Sequence, residues 1–382
     1  MSMIEVGKPA VLFTTRDKKF ISGLSTSEVQ NIYNYTIQGV AGEGVFPWIC
    51  TLWDSNYLVV GIGRMFRLIK YGWTSKRNIW LDDNGNMWFL SGEKDLITIA
   101  KENWKEYENS LCYVASGVTD DTGGRMHLGN DMLFIVGNKK IRGWSWDRET
   151  GATEPEWDWT TLSGTPYDFQ WREKYDELVC GNYEGNIVTL VDGSTGEIKA
   201  TRDIGHASQQ VAIDKYGRYW FQEYHGKKIT VCEPEDLTLV DITINGETYN
   251  GTFSVPFISE ARGIGENSEF DIIMTDYNGN YPAFFSAKDD YSNIMRVSLG
   301  SKTYKAAPLG DKNFWFLTYI DGYKCFVMNP INQALTEIAL YSYRPYGQGD
   351  PGLGRYKTWG RSWKPDVSAI YDYLYTPLTE ES

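Results

Sequence analysis

The chain holds three histidines, and two of them, His206 and His225, flank Glu223 within twenty positions. An imidazole and a carboxylate at this spacing are suited to general-base and metal-assisted acid chemistry. Packing is the competing role and the commoner fate of an isolated histidine; His127 stands in no comparable context. Asp82-Asp83-Asn84-Gly85-Asn86 sets oxygen donors at alternate positions as a calcium loop does, but lacks glycine at the sixth position and a downstream bidentate glutamate. A tight turn accounts for the same residues. Trp144, Trp146, Trp157, Trp159 and Trp171 are the residue type that stacks on sugar rings. Trp144 and Trp146, however, fall on one face of a single strand, which suits them to burial. The chain contains no GxxxxGK[ST], HExxH or GxSxG pattern, so phosphate-loop, zincin and α/β-hydrolase chemistries have no carrier. We expect no resident cofactor and no metal.

The elements that must position these residues are strands. Fifteen Trp, 26 Tyr and 16 Phe make 15% of the 382 residues, and aromatic residues favour pleated, half-buried strands. A polar turn followed by a bulky strand recurs seven times, with Leu58, Trp88, Leu133, Leu178, Trp220, Ile272 and Trp315 at the equivalent position. The spacings are 30, 45, 45, 42, 52 and 43 residues. A period near 43 is that of a four-stranded propeller blade. A third strand follows in most copies, as at 65–69, 96–99, 141–146, 187–190 and 229–232, and several copies close on a further turn such as Asp192-Gly-Ser-Thr-Gly196. The pattern predicts an all-β chain: a β-propeller of seven blades, each a four-stranded antiparallel sheet. Trp88, Trp220 and Trp315 are expected on inner strands, packed between neighbouring blades. Two stacked β-sandwiches fit the regular spacing less well. Ser25–Tyr35 reads as a short helix or a loop.

The units Asp82-Asp-Asn-Gly85-Asn-Met-Trp88-Phe89 and Asp214-Lys-Tyr-Gly217-Arg-Tyr-Trp220-Phe221 resemble the Asp-x-x-Gly-x-x-Trp-Phe blade motif of NHL-like and streptogramin-lyase-like propellers. Gly185-Asn-Ile-Val-Thr-Leu-Val-Asp192-Gly-Ser-Thr-Gly196 is similar to the hairpin of PQQ-like blades. The streptogramin-lyase resemblance implies a catalytic histidine just upstream of such a motif, a place that His206 fills, while the other blades lack any matching His or acid. These likenesses cover single blades, and blade motifs specify fold better than activity.

Charge and chain ends divide the molecule. Lys plus Arg total 37 against 50 Asp plus Glu, a net −13, which excludes a chain-wide basic footprint for nucleic acid or an anionic membrane. The start, Met1 to Lys8, has no basic segment leading into an apolar one, and no stretch approaches the roughly 18 apolar residues of a membrane span. The expectation is a protein that is cytoplasmic as synthesised. Asn34 and Asn250 then head idle glycosylation acceptors. Cys50, Cys112, Cys180, Cys232 and Cys325 contain no CxxC pair and read as buried thiols. Residues 1–340 form the propeller. The segment 341–364 departs from the repeat as an aromatic, glycine-rich arm with five basic residues and one acid. Residues 365–382 supply a strand, Val367–Tyr375, expected to pair with Ala10–Thr14 and close the ring.

These features point to a non-enzymatic propeller serving as a docking part of a larger assembly, with a virion such as a phage particle as its most concrete form. Other protein subunits are the expected partners. Tyr343, Tyr346, Arg355, Tyr356, Trp359, Arg361 and Trp363 are the expected partner-binding residues, because Tyr, Trp and Arg anchor interfaces. The alternatives are a propeller that binds a glycan and a streptogramin-lyase-like enzyme using His206, Glu223 and His225.

Overall fold

The computed structural model describes strands between Pro47 and Ala339, and most residues from 153 to 303 continuously. These described residues form seven antiparallel sheets in chain order, numbered here 1 to 7, plus one separate hairpin. Sheet 1 holds β1 (Pro47–Thr51), β2 (Tyr57–Ile62) and β3 (Met65–Lys70). Sheet 2 holds β4 (Arg77–Leu81), β5 (Met87–Leu90), β6 (Leu96–Ile99) and β7 (Leu111–Ala115). Sheet 3 holds β8 (Arg125–Leu128), β9 (Met132–Gly137) and β10 (Lys140–Trp146), with β11 (Thr153–Pro155) and β12 (Thr160–Thr161) both pairing with β10. Sheet 4 is β13 (Phe169–Arg172), β14 (Glu177–Cys180), β15 (Ile187–Asp192) and β16 (Ile198–Asp203).

Sheet 5 is β17 (Ser208–Ile213), β18 (Tyr219–Glu223), β19 (Lys228–Cys232) and β22 (Thr252–Ser254), interrupted by the hairpin β20 (Asp241–Ile244) and β21 (Glu247–Asn250). Sheet 6 is β23 (Ile264–Glu266), β24 (Ile272–Met274), β25 (Ala283–Phe285) and β26 (Met295–Arg296). Sheet 7 is β27 (Lys305–Leu309), β28 (Asn313–Leu317), β29 (Lys324–Met328) and β30 (Leu335–Ala339). The first strand of each sheet lies against the first strand of the next, from β1 through to β27. The sheets therefore stand face to face around their innermost strands.

The core sits between sheets. Phe134, Val136, Phe169, Trp171 and Leu178 fill the space between sheets 3 and 4. Val179, Leu190, Val211, Tyr219 and Phe221 fill that between sheets 4 and 5. Ala212, Trp220, Val231, Ile272 and Phe285 join sheets 5 and 6, and Ile273, Phe284 and Ala306 join sheets 6 and 7. Each strand contributes to both neighbours because successive side chains point to opposite faces. Tyr219 and Phe221 face one way and Trp220 the other, so the run Tyr-Trp-Phe is buried on both sides.

The repeat position lies in the second strand of every sheet, carrying Leu58, Trp88, Leu133, Leu178, Trp220, Ile272 and Trp315. The uneven spacings have physical causes. The 30-residue step spans sheet 1, described with three strands, and the 52-residue step spans sheet 5 with its added hairpin. That hairpin turns on Asn245 and Gly246, whose φ values of 50° and 84° are those of a tight two-residue turn. Ile242 and Ile244 enter the core between sheets 5 and 6, while the tip is fastened to sheet 6: Asn245 N–H donates to the Ser292 carbonyl (2.6 Å) and Asn245 Oδ1 accepts from Ile294 N–H (3.3 Å). Asn245→Ala should cost about 1 to 2 kcal/mol by losing that bond and straining the left-handed position, measurable by urea denaturation.

Asp214 shows what the Asp-x-x-Gly-x-x-Trp-Phe motif does. Its Oδ1 accepts from Tyr216 N–H and Arg218 N–H, both at 2.9 Å, and its Oδ2 accepts from Arg218 Nε (2.5 Å) and the Trp220 indole (3.0 Å). The carboxylate thus shapes the turn and also fixes the buried tryptophan beyond it. Asp192 does the same for the turn closing sheet 4, accepting from Ser194 N–H, Thr195 N–H and the Thr195 hydroxyl. The Asp82 turn, the stretch Ser25–Tyr35 read as a helix or a loop, both closing strands and the arm lie outside the described residues.

Candidate functional site

His206 precedes β17 and is only 5% exposed. Its Nδ1 lies 3.1 Å from the Ala207 carbonyl, which can only accept, so Nδ1 carries the proton. Nε2 then accepts from the Thr230 hydroxyl (2.8 Å), whose oxygen in turn lies 2.9 Å from Thr252 Oγ1. Burial lowers the His206 pKa below the usual histidine range, against the opposing pull of the Ala207 carbonyl and the Glu223 carboxylate. A neutral imidazole with both nitrogens in protein hydrogen bonds ties the lead-in of sheet 5 to its third and fourth strands. Because the folded pKa is depressed, protons bind the unfolded chain more readily as pH falls below about 6.5, and stability drops there. His206→Asn should flatten that part of the curve by up to about 1.4 kcal/mol per pH unit, read as the difference between the two proteins' denaturation midpoints.

The other two candidates face elsewhere. Glu223 Oε2 accepts from the backbone N–H groups of Lys227 (3.1 Å) and Lys228 (3.2 Å). His225, exposed and left-handed at φ 60°, places Nδ1 2.5 Å from Glu260 Oε1. At that distance Nδ1 donates its proton to the carboxylate, so Arg262 Nη2, 3.2 Å away, is a neighbour of that nitrogen and not its donor. Arg262 Nε instead donates to the same Glu260 oxygen (3.0 Å). His206, Glu223 and His225 thus share one end of sheet 5, each committed to separate structural bonds. Among the described residues no three His, Cys, Asp or Glu side chains converge as metal ligands.

The same end of the molecule carries a repeated turn. The connection between second and third strands reads Asn182-Tyr183-Glu184-Gly185 in sheet 4, Glu223-Tyr224-His225-Gly226 in sheet 5 and Asp276-Tyr277-Asn278-Gly279 in sheet 6. In each the first side chain accepts from backbone within the turn: Asn182 from Glu184 N–H (3.0 Å), Glu223 as above, Asp276 from Gly279 N–H (3.1 Å). A Cβ on Gly226 would lie 2.0 Å from Glu223 Oε2 and one on Gly279 1.9 Å from Asp276 Oδ2, so a larger residue there would push the carboxylate out of its turn hydrogen bonds. Each tyrosine N–H donates to the segment leading into its own sheet, at the Thr165, Ala207 and Glu260 carbonyls. The three tyrosines are structurally equivalent.

Their rings make a continuous strip across three sheets. Tyr183 and Tyr224 meet edge to face at 6.1 Å between centroids. The Arg262 guanidinium lies 5.8 Å from the Tyr224 ring and 3.7 Å from that of Tyr277, over which it stacks. Tyr183, Tyr224, Arg262 and Tyr277 are all half-buried, so each is held in place by the protein and still offers surface to solvent. Glu184 flanks the strip, exposed, with its carboxyl pKa lowered first by the Thr165 hydroxyl at 2.6 Å. Glu184 is a carboxylate at neutral pH.

No family model and no curated protein matches the sequence. Solved structures do match its shape. A catalytically inactive virginiamycin B lyase from Staphylococcus aureus, solved with quinupristin, superposes with a TM-score of 0.54 at 12% identity, over 78% of this chain and 89% of that one. YCF48 bound to D1 peptide gives 0.51 at 14% identity over 76% and 85%, and a chain of the mitotic checkpoint complex gives 0.50 at 12% over 78% and 92%. The chain folds as a β-propeller. At these identities the likeness is one of fold, in keeping with the blade motifs read from the sequence.

Within the propeller, the tryptophans divide between packing and surface. Trp171 and Trp144 are buried, and Trp157 lays its indole against Gly143 and Gly196 while donating to the Gly193 carbonyl (3.0 Å). It clasps sheet 3 to the outer turn of sheet 4. Trp159, half-buried, lies 5.8 Å from the Arg142 guanidinium. Trp171 fills the core between sheets 3 and 4, with Trp157, half-buried, packed against that core. Tyr343, Tyr346, Arg355, Tyr356, Trp359, Arg361 and Trp363 lie outside the described residues.

Proposed function

We propose that this chain is a non-enzymatic docking propeller, a rigid protein-binding part of a larger assembly. The observation that carries this reading is the strip Tyr183–Tyr224–Arg262–Tyr277, built from the same turn in three successive sheets. Tyrosine and arginine presented on a rigid scaffold give large amphipathic contact area at small entropic cost, and they are the residue types enriched where interfaces hold their energy. The hydrogen bonds that occupy His206 favour docking over a lyase-like reaction. Two propellers of similar fold are known from structures with a peptide and within a multiprotein complex, which supports protein as the partner class here. The arm, with Tyr343, Tyr346, Tyr356, Trp359 and Trp363 among five basic residues, belongs to the same docking apparatus. A virion is the most concrete assembly that would use such a part, with the chain made in the cytoplasm and then incorporated.

Replacing Tyr183, Tyr224 and Tyr277 together by alanine should weaken association with the assembly at least tenfold while leaving the fold intact by circular dichroism. Three interface tyrosines at about 1 kcal/mol or more each exceed that threshold. Undiminished association of the folded triple variant would reject this face as the docking surface.

A further inference from the structure

The hairpin β20–β21, which fastens sheet 5 to sheet 6, turns on an asparagine followed by a glycine. That pair carries chemistry of its own. An asparagine side-chain carbonyl carbon and the next backbone nitrogen can close a five-membered ring, and a glycine in the next place puts no side chain in the way. The sequence holds four such pairs, beginning at Asn84, Asn245, Asn250 and Asn278. The last three lie among the described residues and differ in how their reacting atoms are held.

At Asn250 and Asn278 those atoms are tied. Gly251 N–H donates to the Tyr249 carbonyl (3.0 Å) and Asn250 Nδ2 to Asp241 Oδ1 (3.1 Å). Gly279 N–H donates to Asp276 Oδ1 (3.1 Å), and Asn278 Nδ2 donates to Glu260 Oε2. In both pairs the nitrogen that must attack and the amide that must leave are engaged in hydrogen bonds. Asn245 is arranged the other way. Its Oδ1 accepts from Ile294 N–H (3.3 Å), which draws charge away from the side-chain carbonyl carbon. Among the described residues neither Gly246 N–H nor Asn245 Nδ2 has a hydrogen-bond partner. Both residues are exposed, and a Cβ on Gly246 would meet nothing within 4 Å, so water and hydroxide reach the turn.

We propose that Asn245 is a site of spontaneous deamidation in the folded protein, and that its isoaspartate product frees the hairpin from sheet 6. The Gly246 nitrogen gives its proton to hydroxide and bonds to Asn245 Cγ; the Cγ–Nδ2 bond breaks, and Nδ2 takes a proton from water and leaves as ammonia. Water then opens the cyclic imide at either carbonyl. Opening at Cγ gives aspartate, while opening at the original main-chain carbonyl gives isoaspartate, whose backbone runs through Cβ and Cγ. One added backbone carbon does not fit a two-residue turn joining Ile244 to Glu247. The turn sets the hairpin's register, and register keeps Ile242 and Ile244 on the core side between sheets 5 and 6. The aspartate form keeps the same backbone and an acceptor for Ile294 N–H. The site therefore ages into two forms, of which one loosens the joint between two blades.

The test incubates the full folded chain in mildly alkaline buffer and follows its tryptic peptides by mass spectrometry, with the chain unfolded in guanidinium chloride as the reference. Cleavage after Lys228 and Arg262 yields one peptide carrying both Asn245 and Asn250, so the two are compared within one molecule. In the folded protein Asn245 should convert about tenfold faster than Asn250 or Asn278, each of which must first break two hydrogen bonds. In the unfolded chain the three rates should converge. The isoaspartate-containing fraction, isolated by ion exchange, should show hydrogen exchange across 241–250 several-fold faster than fresh protein. Asn245→Asp, which gains the same charge without the added backbone carbon, should exchange as fresh protein does. Equal conversion of the three asparagines in the folded protein, or an Asn245 that stays intact while the unfolded chain converts, would overturn the site. Unchanged exchange in the isoaspartate fraction would overturn the release of the hairpin.

Discussion

Trp220→Ala is expected to destabilise the propeller by about 3 to 5 kcal/mol, the cost of emptying a fully buried aromatic site that its surroundings cannot refill. Trp220 is 0% exposed and packs between sheets 5 and 6 against Phe253, Phe285 and Tyr291, with ring centroids 6.0, 5.3 and 5.3 Å away. Those three rings come from β22, from β25 and from the residues just beyond β25, so the cavity would open the seam joining two blades. Collapse is resisted because Tyr291 is itself pinned, donating to the Phe270 carbonyl (3.0 Å) and accepting from Lys215 N–H (2.8 Å). Urea denaturation at neutral pH measures the loss. A change below about 1 kcal/mol would mean that Trp220 is not a packing residue of this seam.

The second large effect belongs to Asp214→Ala, expected at about 3 to 5 kcal/mol because it removes one partner of a buried, hydrogen-bonded ion pair. Asp214 is 1% exposed, and Arg218, its partner at 2.5 Å, is largely buried beside it. Without the carboxylate, Arg218 Nε, the Trp220 indole and two turn N–H groups lose their acceptor together. Asp214→Asn keeps an acceptor and should cost less, about 1 to 3 kcal/mol. Trp220→Ala and Asp214→Ala share the indole hydrogen bond, so the double variant should be more stable than the sum of the single losses predicts. Strict additivity would show that the motif's aspartate and tryptophan act separately.

The blade motif was legible because one carboxylate has to close a turn and hold a tryptophan, and that double duty fixes residue types at fixed offsets. Which of four strands carries the motif was not legible. An antiparallel meander repeats the same alternation in every strand; Trp88, Trp220 and Trp315, expected on inner strands, lie in the second strand of their sheets, flanked by a strand on each side. The hairpin at 241–250 was visible only as an overlong 52-residue step, since Asn245-Gly246 looks like any other turn until its two strands are seen to pair with each other alone.

The tyrosine strip left a fainter trace. Tyr-x-Gly preceded by Asn, Glu or Asp recurs at 182–185, 223–226 and 276–279, but its first residue varies in length and charge, and the spacings differ. What unites the copies is that these three second-to-third-strand connections emerge at one end of the propeller, a property of topology and not of local sequence. His206 stands out in the sequence because histidine is rare here, yet its surroundings of Thr230, Thr252 and the Ala207 carbonyl come from three segments that only folding brings together.

The most direct measurement of the central claim is residue-level crosslinking of the native assembly isolated from its source, followed by mass spectrometry. The docking reading predicts that this chain is recovered in fixed stoichiometry with another protein, and that its crosslinks to that protein concentrate at Glu184, Lys227, Lys228 and neighbours on the tyrosine face. Recovery as a free monomer, or crosslinks confined to the opposite face around Lys215, Glu233 and Lys288, would contradict it.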